Sequence, residues 1–475
     1  MTPYISLGNR AKGVVILGAG AMFFYNLLFA FTMPVVLPSL LERYGVMEHY
    51  ALLNGLNSLI SCVVTPLGGK LGDRFGRRRL AIAASAVRLG LMLCCAVPTS
   101  GGVFFALYLT GNLAGGLLNS IPYAILGDVT DLRERPRWFG VFGTVNGVAL
   151  LAGLLGGGVI VDFLGPFAAF LFFAPFGALS LVCLAACYPN KTTGSGSGLD
   201  RAGMVLLALG LAAILSWCNF GGVAFPRTSP LGIALLVAGA ALLFLLVRHE
   251  GRAADPIFDP RFFRNKSFLL SAATYLLIGP MVCLCSSTLT MYGQVGLGLS
   301  ATVSGTLALP KNIIFFVLPT FLGAWIAKDR RRFKPIFLLC GGCIALASLL
   351  CCFWDTQTSV LTIYAVMVIF GVGTSCQSVI IQPYMHAAVA SEDLGSATAV
   401  LQFANSMGNV IFTSAYSILY NARYLAATAP GGAGEAVAIA QAFSGVAVVS
   451  AVAGVGIMAA TLLLMPRRQT AKVRA

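Results

Sequence analysis

Apolar runs that are long enough to cross a bilayer as helices, at about 20 residues each, recur along the whole chain. A membrane-spanning strand would instead need only about ten residues of alternating hydrophobicity. Hydrophobic residues make up 58% of the 475 residues and charged residues only 10%, which leaves too little polar surface to coat a soluble globule of this size. The sequence therefore predicts an all-α polytopic membrane protein.

Fourteen spans are predicted, in an arrangement of six, two and six. They lie near 13–38, 50–71, 78–98, 103–126, 138–161, 166–188, 202–220, 230–247, 267–291, 302–326, 335–353, 359–382, 395–420 and 437–465. This predicts three regions: an N-terminal six-helix bundle (1–189), a middle region with a Gly/Ser-rich linker, two additional central helices and a polar inward loop (190–266), and a C-terminal six-helix bundle with a short basic tail (267–475).

Lys and Arg cluster on alternate sides of the predicted spans. If the N-terminus is inside, most of the 31 basic residues fall in inward segments, and the outward loops keep only Arg43, Arg227 and Arg423. Short cytoplasmic loops collect positive charge, so we expect a protein of the cytoplasmic membrane with both termini in the cytoplasm. The same alternation accounts for the net charge of +15 without a nucleic-acid partner.

Residue types that carry enzymatic chemistry form no pattern here. The 13 cysteines all lie inside predicted spans, where they are expected to be buried apolar thiols, and the 3 histidines are scattered over loops and span ends. We therefore expect no enzyme activity, no cofactor and no metal site.

The segment from Gly69 to Arg79, GKLGDRFGRRR, follows the second predicted span. Glycines allow a tight turn, a carboxylate can accept hydrogen bonds from a helix N-terminus, and arginines can bind acidic groups on neighbouring helices. A basic inward loop by itself explains the arginines, but not an aspartate and glycines at fixed offsets. The segment resembles the signature loop of the major facilitator superfamily, G-x3-D-R-x-G-R-R, at every position.

That resemblance implies a monomeric secondary transporter that carries a small-molecule substrate through the lipid bilayer by alternating access. It also implies a charge cluster between Asp73, Arg77 and Asp128 that holds the two halves together while the outer side is open. The residues that it assigns to gating are Gly69, Asp73, Arg74, Gly76, Arg77, Arg78 and Asp128.

The borders of the two central spans, Asp200-Arg-Ala-Gly203 and the polar run from Glu250 to Phe268, resemble those of the fourteen-helix drug/proton antiporter branch. The chain departs from that branch in the first span, where Phe29 stands at the position of an aspartate. Proton coupling is therefore left open: it would run through span-end acids such as Asp162 or Asp128, through the substrate's own acid group, or be absent.

Amide side chains are costly inside hydrocarbon, so their positions are informative. In the implied fold the first, second, fourth and fifth helices of each bundle line the substrate cavity, and the amides concentrate in those spans. Hydrogen bonding between packed helices is the alternative for any single amide. The amides predicted to contact substrate are Asn26, Asn57, Asn112, Asn119, Asn146, Gln377, Gln402 and Asn405.

Two cations, Lys311 and Arg88, lie deep in predicted spans, whereas all 16 acidic residues fall in loops or at span ends. A desolvated cation without an acidic partner favours an anion. Lys311, on a cavity span, is the preferred substrate contact, with snorkelling toward the outer headgroups as the alternative. Arg88 is the second candidate, although its span is expected to be peripheral and a structural pair is its alternative.

The sequence thus predicts a transporter that moves a small amphiphilic organic solute, neutral or anionic, with export as the direction that the resemblance implies. One alternative is a proton-coupled symporter for the uptake of organic anions. Another, from a different class, is a lipid-intermediate flippase, against which the complete signature loop argues.

Cysteines introduced at Ser195 and Thr228 test the topology. An impermeant thiol reagent should label Ser195→Cys from the inside and Thr228→Cys from the outside, because the linker is inward and the loop between the central spans is outward. The unsubstituted chain gives the background. Labelling of both from one face would mean that a span has been miscounted.

Overall fold

The computed structural model describes most of the chain, namely residues 5, 7–46, 50–97, 100–189, 200–221, 225–226, 228–251, 260–285, 287–299, 301–390, 393–428 and 435–465. The Gly/Ser-rich linker from 190 to 199 and the basic tail from 466 onward lie outside these residues. Within them every element is helical, apart from an isolated bridge between Gly221 and Phe225.

Helices follow one another along the chain, numbered here in order. The first nine are α1 (Asn9–Arg43), α2 (Tyr50–Phe75), α3 (Arg77–Cys95), α4 (Gly101–Leu117), α5 (Ile121–Val129), α6 (Arg135–Leu164), α7 (Ala168–Cys187), α8 (Arg201–Phe220) and α9 (Pro230–Glu250). The α-helices that follow are α10 (Pro260–Arg264), α11 (Lys266–Leu284), α12 (Ser287–Met291), α13 (Ala301–Thr306), α14 (Leu309–Ala327), α15 (Phe333–Cys351), α16 (Val360–His386), α17 (Leu394–Thr428) and α18 (Glu435–Leu464). A π-helix (Tyr292–Gly296) and a 3-10 helix (Arg330–Arg332) lie among them.

Helices occupy each of the predicted spans, which confirms the all-α polytopic class. Nine segments of the described residues are both long and apolar enough to cross a membrane. They are Asn9–Leu37, Gly101–Val129, Ala168–Cys187, Pro230–Glu250, Lys266–Gly296, Val303–Ala327, Phe333–Cys351, Val360–His386 and Ile439–Leu464. The count of fourteen crossing helices stays a prediction.

The fourth and the tenth predicted spans are each interrupted by turn residues. The fourth is divided into α4 and α5, and Pro122 occupies the first turn of α5. The tenth is divided into α13 and α14, and Pro310 occupies the first turn of α14. Proline is tolerated in the first turn, where its missing N–H has no intrahelical role, but it disrupts a helix interior. Asn119 lies in the turn between α4 and α5.

The chain forms two compact units. Unit 1 comprises Met1–Leu132, Val145–Phe262 and Val389–Phe403, and unit 2 comprises Arg133–Thr144, Phe263–Ala388 and Ala404–Ala475. Helices α6 and α17 each contribute residues to both units. The first turns of α17 thus belong to unit 1. The division into two six-helix bundles and a middle region stays a prediction.

An aromatic core joins α1, α4 and α7 in unit 1. The Phe29 ring packs edge-on against Phe173 at a centroid distance of 5.3 Å, and Phe104 stacks on Tyr108 at 5.7 Å. Phe29, Phe104 and Phe173 are all at most 2% exposed. Rings of this kind bury large apolar areas with a defined geometry, and they hold α1 and α4 beside each other. The polar residues of the same two helices are positioned by this core.

Glycines bring α15 and α18 of unit 2 close together. A Cβ added to Gly341 would lie 2.7 Å from the backbone oxygen of Gly454. At the adjacent position, a Cβ on Gly342 would meet only the Met458 sulfur, at an ordinary 3.8 Å. Close backbone approach through small residues is a general means of packing helices in membranes.

Gly341→Ala and Gly342→Ala form a matched pair for this contact. Both substitutions gain the same helix propensity, so their difference isolates the cost of overpacking, about 1 to 3 kcal/mol. Gly341→Ala should lower the melting temperature of the purified protein relative to Gly342→Ala. Equal melting temperatures would contradict the close contact.

Candidate functional site

A buried charge cluster forms where α2 meets α3. Gly76 between the two helices has φ +91°, a conformation that favours glycine. It lets the chain turn so that Arg77, the first residue of α3, folds back onto Asp73: Nε and Nη2 donate to Asp73 Oδ1 at 3.0 and 2.7 Å. The Nη1 of Arg77 pairs with Asp128, whose side chain lies at the end of α5. The charge cluster expected of these three residues is therefore present.

The second carboxylate oxygen of Asp73 binds the start of α17. Its Oδ2 accepts from the backbone N–H and from the hydroxyl of Ser396, each at 2.7 Å. A negative charge at this position satisfies a free N–H of the first turn and interacts favourably with the helix dipole. The approach requires glycines, because a Cβ on Gly395 would collide with Asp73 and one on Gly69 would collide with Gly395.

Asp128 has two further partners that the sequence did not indicate. Its Oδ2 accepts from the hydroxyl of Tyr188 at 2.5 Å, and its backbone oxygen accepts from the N–H of Ile5 at 3.0 Å. Asp128 is 1% exposed, and each of its two carboxylate oxygens accepts a hydrogen bond. Tyr188 follows α7 without a recognisable motif, so only the fold reveals its role.

Arg74 and Arg78 of the signature loop have further neighbours. Arg78 donates to the backbone oxygen of Ala185, and the guanidinium of Arg74 lies 5.8 Å from the ring centroid of Phe75. Both side chains are partly exposed.

A second constellation surrounds a cavity of about 140 Å³ in unit 1. Residues from α1, α2, α3 and α4 and from the turn after α4 line it: Asn26, Leu27, Phe29, Ala30, Met33, Pro34, Asn57, Ser61, Arg88, Tyr108, Asn112, Gly115, Gly116 and Asn119. The cavity therefore brings together five of the predicted substrate contacts, namely Asn26, Asn57, Arg88, Asn112 and Asn119.

The other five predicted contacts do not line this cavity. Lys311 lies on α14 and Gln377 on α16, both in unit 2, and Asn146 lies on α6 in unit 1. On α17, Gln402 belongs to unit 1 and Asn405 to unit 2. All five are partly exposed, and their contact with substrate stays a prediction.

A directed chain of hydrogen bonds runs along the cavity wall. Arg88 Nη1 donates to Asn26 Oδ1, and Asn26 Nδ2 donates to Asn119 Oδ1 at 2.8 Å. The Nδ2 of Asn119 donates in turn to Ser61 Oγ at 3.1 Å and to Thr65 Oγ1 at 3.0 Å. The helix break that precedes Asn119 places its amide between α1 and α2. These amides thus join helices and line the cavity at once.

Arg88 is the most deeply buried of the lining cations and amides, with 3% of the residue exposed. Its guanidinium carbon lies 4.6 Å from the ring centroid of Phe29 and 5.5 Å from that of Tyr25. A Cβ on Gly115 of α4 would collide with the guanidinium. The side chain thus extends from a helix that was expected to be peripheral, across α4, to the cavity.

The sequence reasoning missed Tyr25 as a neighbour of this cation and noted Phe29 only as a departure from a pattern. A signal was nevertheless present, because Tyr25, Asn26, Phe29 and Met33 recur at the three- and four-residue spacing of one helix face. The partner of that face could not be deduced without the fold.

Comparisons with known proteins agree with this architecture. The family model described as Major Facilitator Superfamily matches residues 18–413. An uncharacterised MFS-type transporter of Mycobacterium tuberculosis is 29% identical over 390 residues, which cover 81% of this chain and 56% of that protein. The multidrug transporter protein MdtP of Bacillus subtilis is 25% identical over 426 residues, 88% of this chain and 77% of that protein. The chain thus spans little more than half the length of the first relative.

A solved structure shows the same fold. The crystal structure of the human organic anion transporter MFSD10 (TETRAN) matches with a TM-score of 0.57 and 15% identity, over 94% of this chain and 99% of that one. The match confirms the predicted fold class. At 15% identity it is evidence for the fold and not for the function.

Asp73→Asn and Arg77→Ala test the charge cluster. Each removes a buried ion pair that joins the ends of helices, so we expect transport to fall at least about tenfold while membrane insertion is kept. Arg79→Ala is the matched control, because Arg79 is exposed on the same turn of α3. Transport would be measured in proteoliposomes alongside the amount of inserted protein. Wild-type turnover in Asp73→Asn and Arg77→Ala would count against a role in gating.

Proposed function

The chain belongs to the major facilitator superfamily of multi-pass membrane transporters, and we propose that it moves a small amphiphilic organic solute, neutral or anionic, across the cytoplasmic membrane by alternating access. We propose export as the direction and the cytoplasm as the side of both termini. In this proposal the Arg77 cluster stabilises one of the alternating states, and the cavity of unit 1 contacts the solute.

The composition of that cavity is the observation that carries the proposal. Its lining combines four amides and one arginine with aromatic and aliphatic side chains, and no carboxylate is among the lining residues. A site of this kind suits a solute with an apolar body and one polar group, since a few polar side chains in an apolar wall fix the orientation of a ligand. An organic cation would find no counter-ion here, and desolvation would be poorly compensated.

Export is supported by sequence similarity at two levels. The borders of the central helices resemble those of the drug/proton antiporter branch, and MdtP, a relative that matches 88% of this chain, is named a multidrug transporter. Coupling is a separate question, because Phe29 occupies the position of that branch's aspartate. Whether a proton gradient or the membrane potential drives the cycle is therefore part of the test.

Uptake and efflux in proteoliposomes test this function. Matched cationic, neutral and anionic solutes would be offered under imposed pH and voltage gradients, with empty liposomes and the Asp73→Asn protein as controls. We expect neutral and anionic solutes to move at least about tenfold faster than cations of the same size, equivalent to about 1.4 kcal/mol of discrimination. A preference for lipophilic cations would overturn the proposal in favour of an ordinary multidrug exporter.

A further inference from the structure

The cavity of unit 1 also indicates which chemical group it recognises. Resting on the proposed function, we infer that it binds a compact organic oxyanion, a carboxylate on a body of about one ring, with Arg88 as the counter-ion and Asn112 as a second donor. The size fits, since the cavity of about 140 Å³ is close to the roughly 150 Å³ that admits a benzene molecule in another protein.

The first step is the charge of Arg88. The residue is 3% exposed, and among the described residues no carboxylate lies within ion-pairing distance of it. The Asn26 carbonyl and the faces of Phe29 and Tyr25 compensate the cation only in part, because ring quadrupoles and one neutral acceptor are weaker than a counter-ion. A bound anion would complete the compensation.

The second step is the direction of the hydrogen bonds. The carbonyl oxygens of Asn26 and Asn119 already accept from neighbouring residues. Two buried donors, Arg88 Nε and Asn112 Nδ2, have no hydrogen-bond partner in the described part of the chain. The hydroxyl of Tyr25 beside Arg88 is likewise without a hydrogen-bond partner in the described residues. Buried donors without partners are costly, so an acceptor supplied by a ligand would stabilise Arg88 Nε and Asn112 Nδ2. A carboxylate supplies acceptors on two oxygens and carries the required charge.

The third step is the space around the guanidinium. Gly115 leaves room for it on α4, where any larger residue would displace it. On the other side, the ring of Phe29 covers it without neutralising it. A carboxylate at position 29 would instead provide an internal counter-ion. Substitutions at positions 29 and 115 can therefore change the surroundings of the Arg88 guanidinium while Arg88 itself is kept.

Equilibrium binding tests this inference on the purified full-length chain in phosphatidylcholine nanodiscs. Radiolabelled benzoate is the probe, and benzenesulfonate, benzamide and benzylammonium are the competitors. We expect benzoate and benzenesulfonate to bind at least about tenfold more tightly than benzamide, and benzylammonium to bind most weakly, because only the two anions pair with Arg88.

Four substitutions locate the binding. Arg88→Gln, Phe29→Asp and Gly115→Ala should each weaken benzoate binding at least about tenfold and change benzamide binding less, whereas Arg88→Lys should retain part of the benzoate affinity. Gly102→Ala is the matched control for Gly115→Ala, since it lies on the same helix and its added Cβ meets nothing within 4 Å. The melting temperature of each variant reports folding, and Phe29→Asp and Gly115→Ala decide the matter if Arg88→Gln does not fold.

The outcomes separate this inference from the proposed function. The inference is overturned if the wild-type protein does not bind benzoate at up to about 10 mM. It is also overturned if Arg88→Gln and Phe29→Asp bind benzoate as the wild-type protein does. Either result would stand even if proteoliposomes still move neutral or anionic solutes. Benzoate binding that depends on Arg88 in a protein that moves none of these solutes would support the site and refute the transport function.

Discussion

Hydrocarbon offers no hydrogen-bond partner to a backbone or to a charge, and every level of this structure follows from that constraint. The backbone satisfies its own N–H and C=O groups within helices, which is why all elements of the described residues are helical apart from one isolated bridge. The helices then pack by close backbone contact at glycines such as Gly341 and Gly454. Polar groups that remain between helices must find a partner in the protein or in a ligand.

Two arginines of unit 1 meet this requirement in opposite ways. Arg77 is paired with two carboxylates, and one of them also binds the start of α17, so its charge is used to hold helix ends together. Arg88 is equally buried but has one amide oxygen and two aromatic faces as neighbours. A cation that is fully paired serves structure or gating, whereas a cation with incomplete compensation beside a cavity is suited to a ligand.

Much of the fold could be predicted from the sequence, because apolar run length and basic loops report directly on the membrane. The Arg77 cluster was also predictable, because the loop from Gly69 to Arg79 resembles the signature loop of the family and that resemblance implies Asp128 as a partner. The reach of Arg88 was not, because it depends on a glycine of another helix, Gly115, that leaves space for a long side chain. The roles of Tyr188 and Ser396 could not be predicted either, because their contacts with the cluster form only when the chain folds.

Helix α2 carries residues of both constellations. Ser61 and Thr65 accept the end of the hydrogen-bond chain that begins at Arg88, and eight residues beyond Thr65 the carboxylate of Asp73 binds Ser396. From Ser61 to Asp73 the helix rises by about 18 Å. Pro66, between Thr65 and Asp73, removes one backbone N–H from the interior of the helix. In the proposed transport cycle, a ligand that shifts the amides of the cavity would therefore act on the same helix that carries the Asp73 contact.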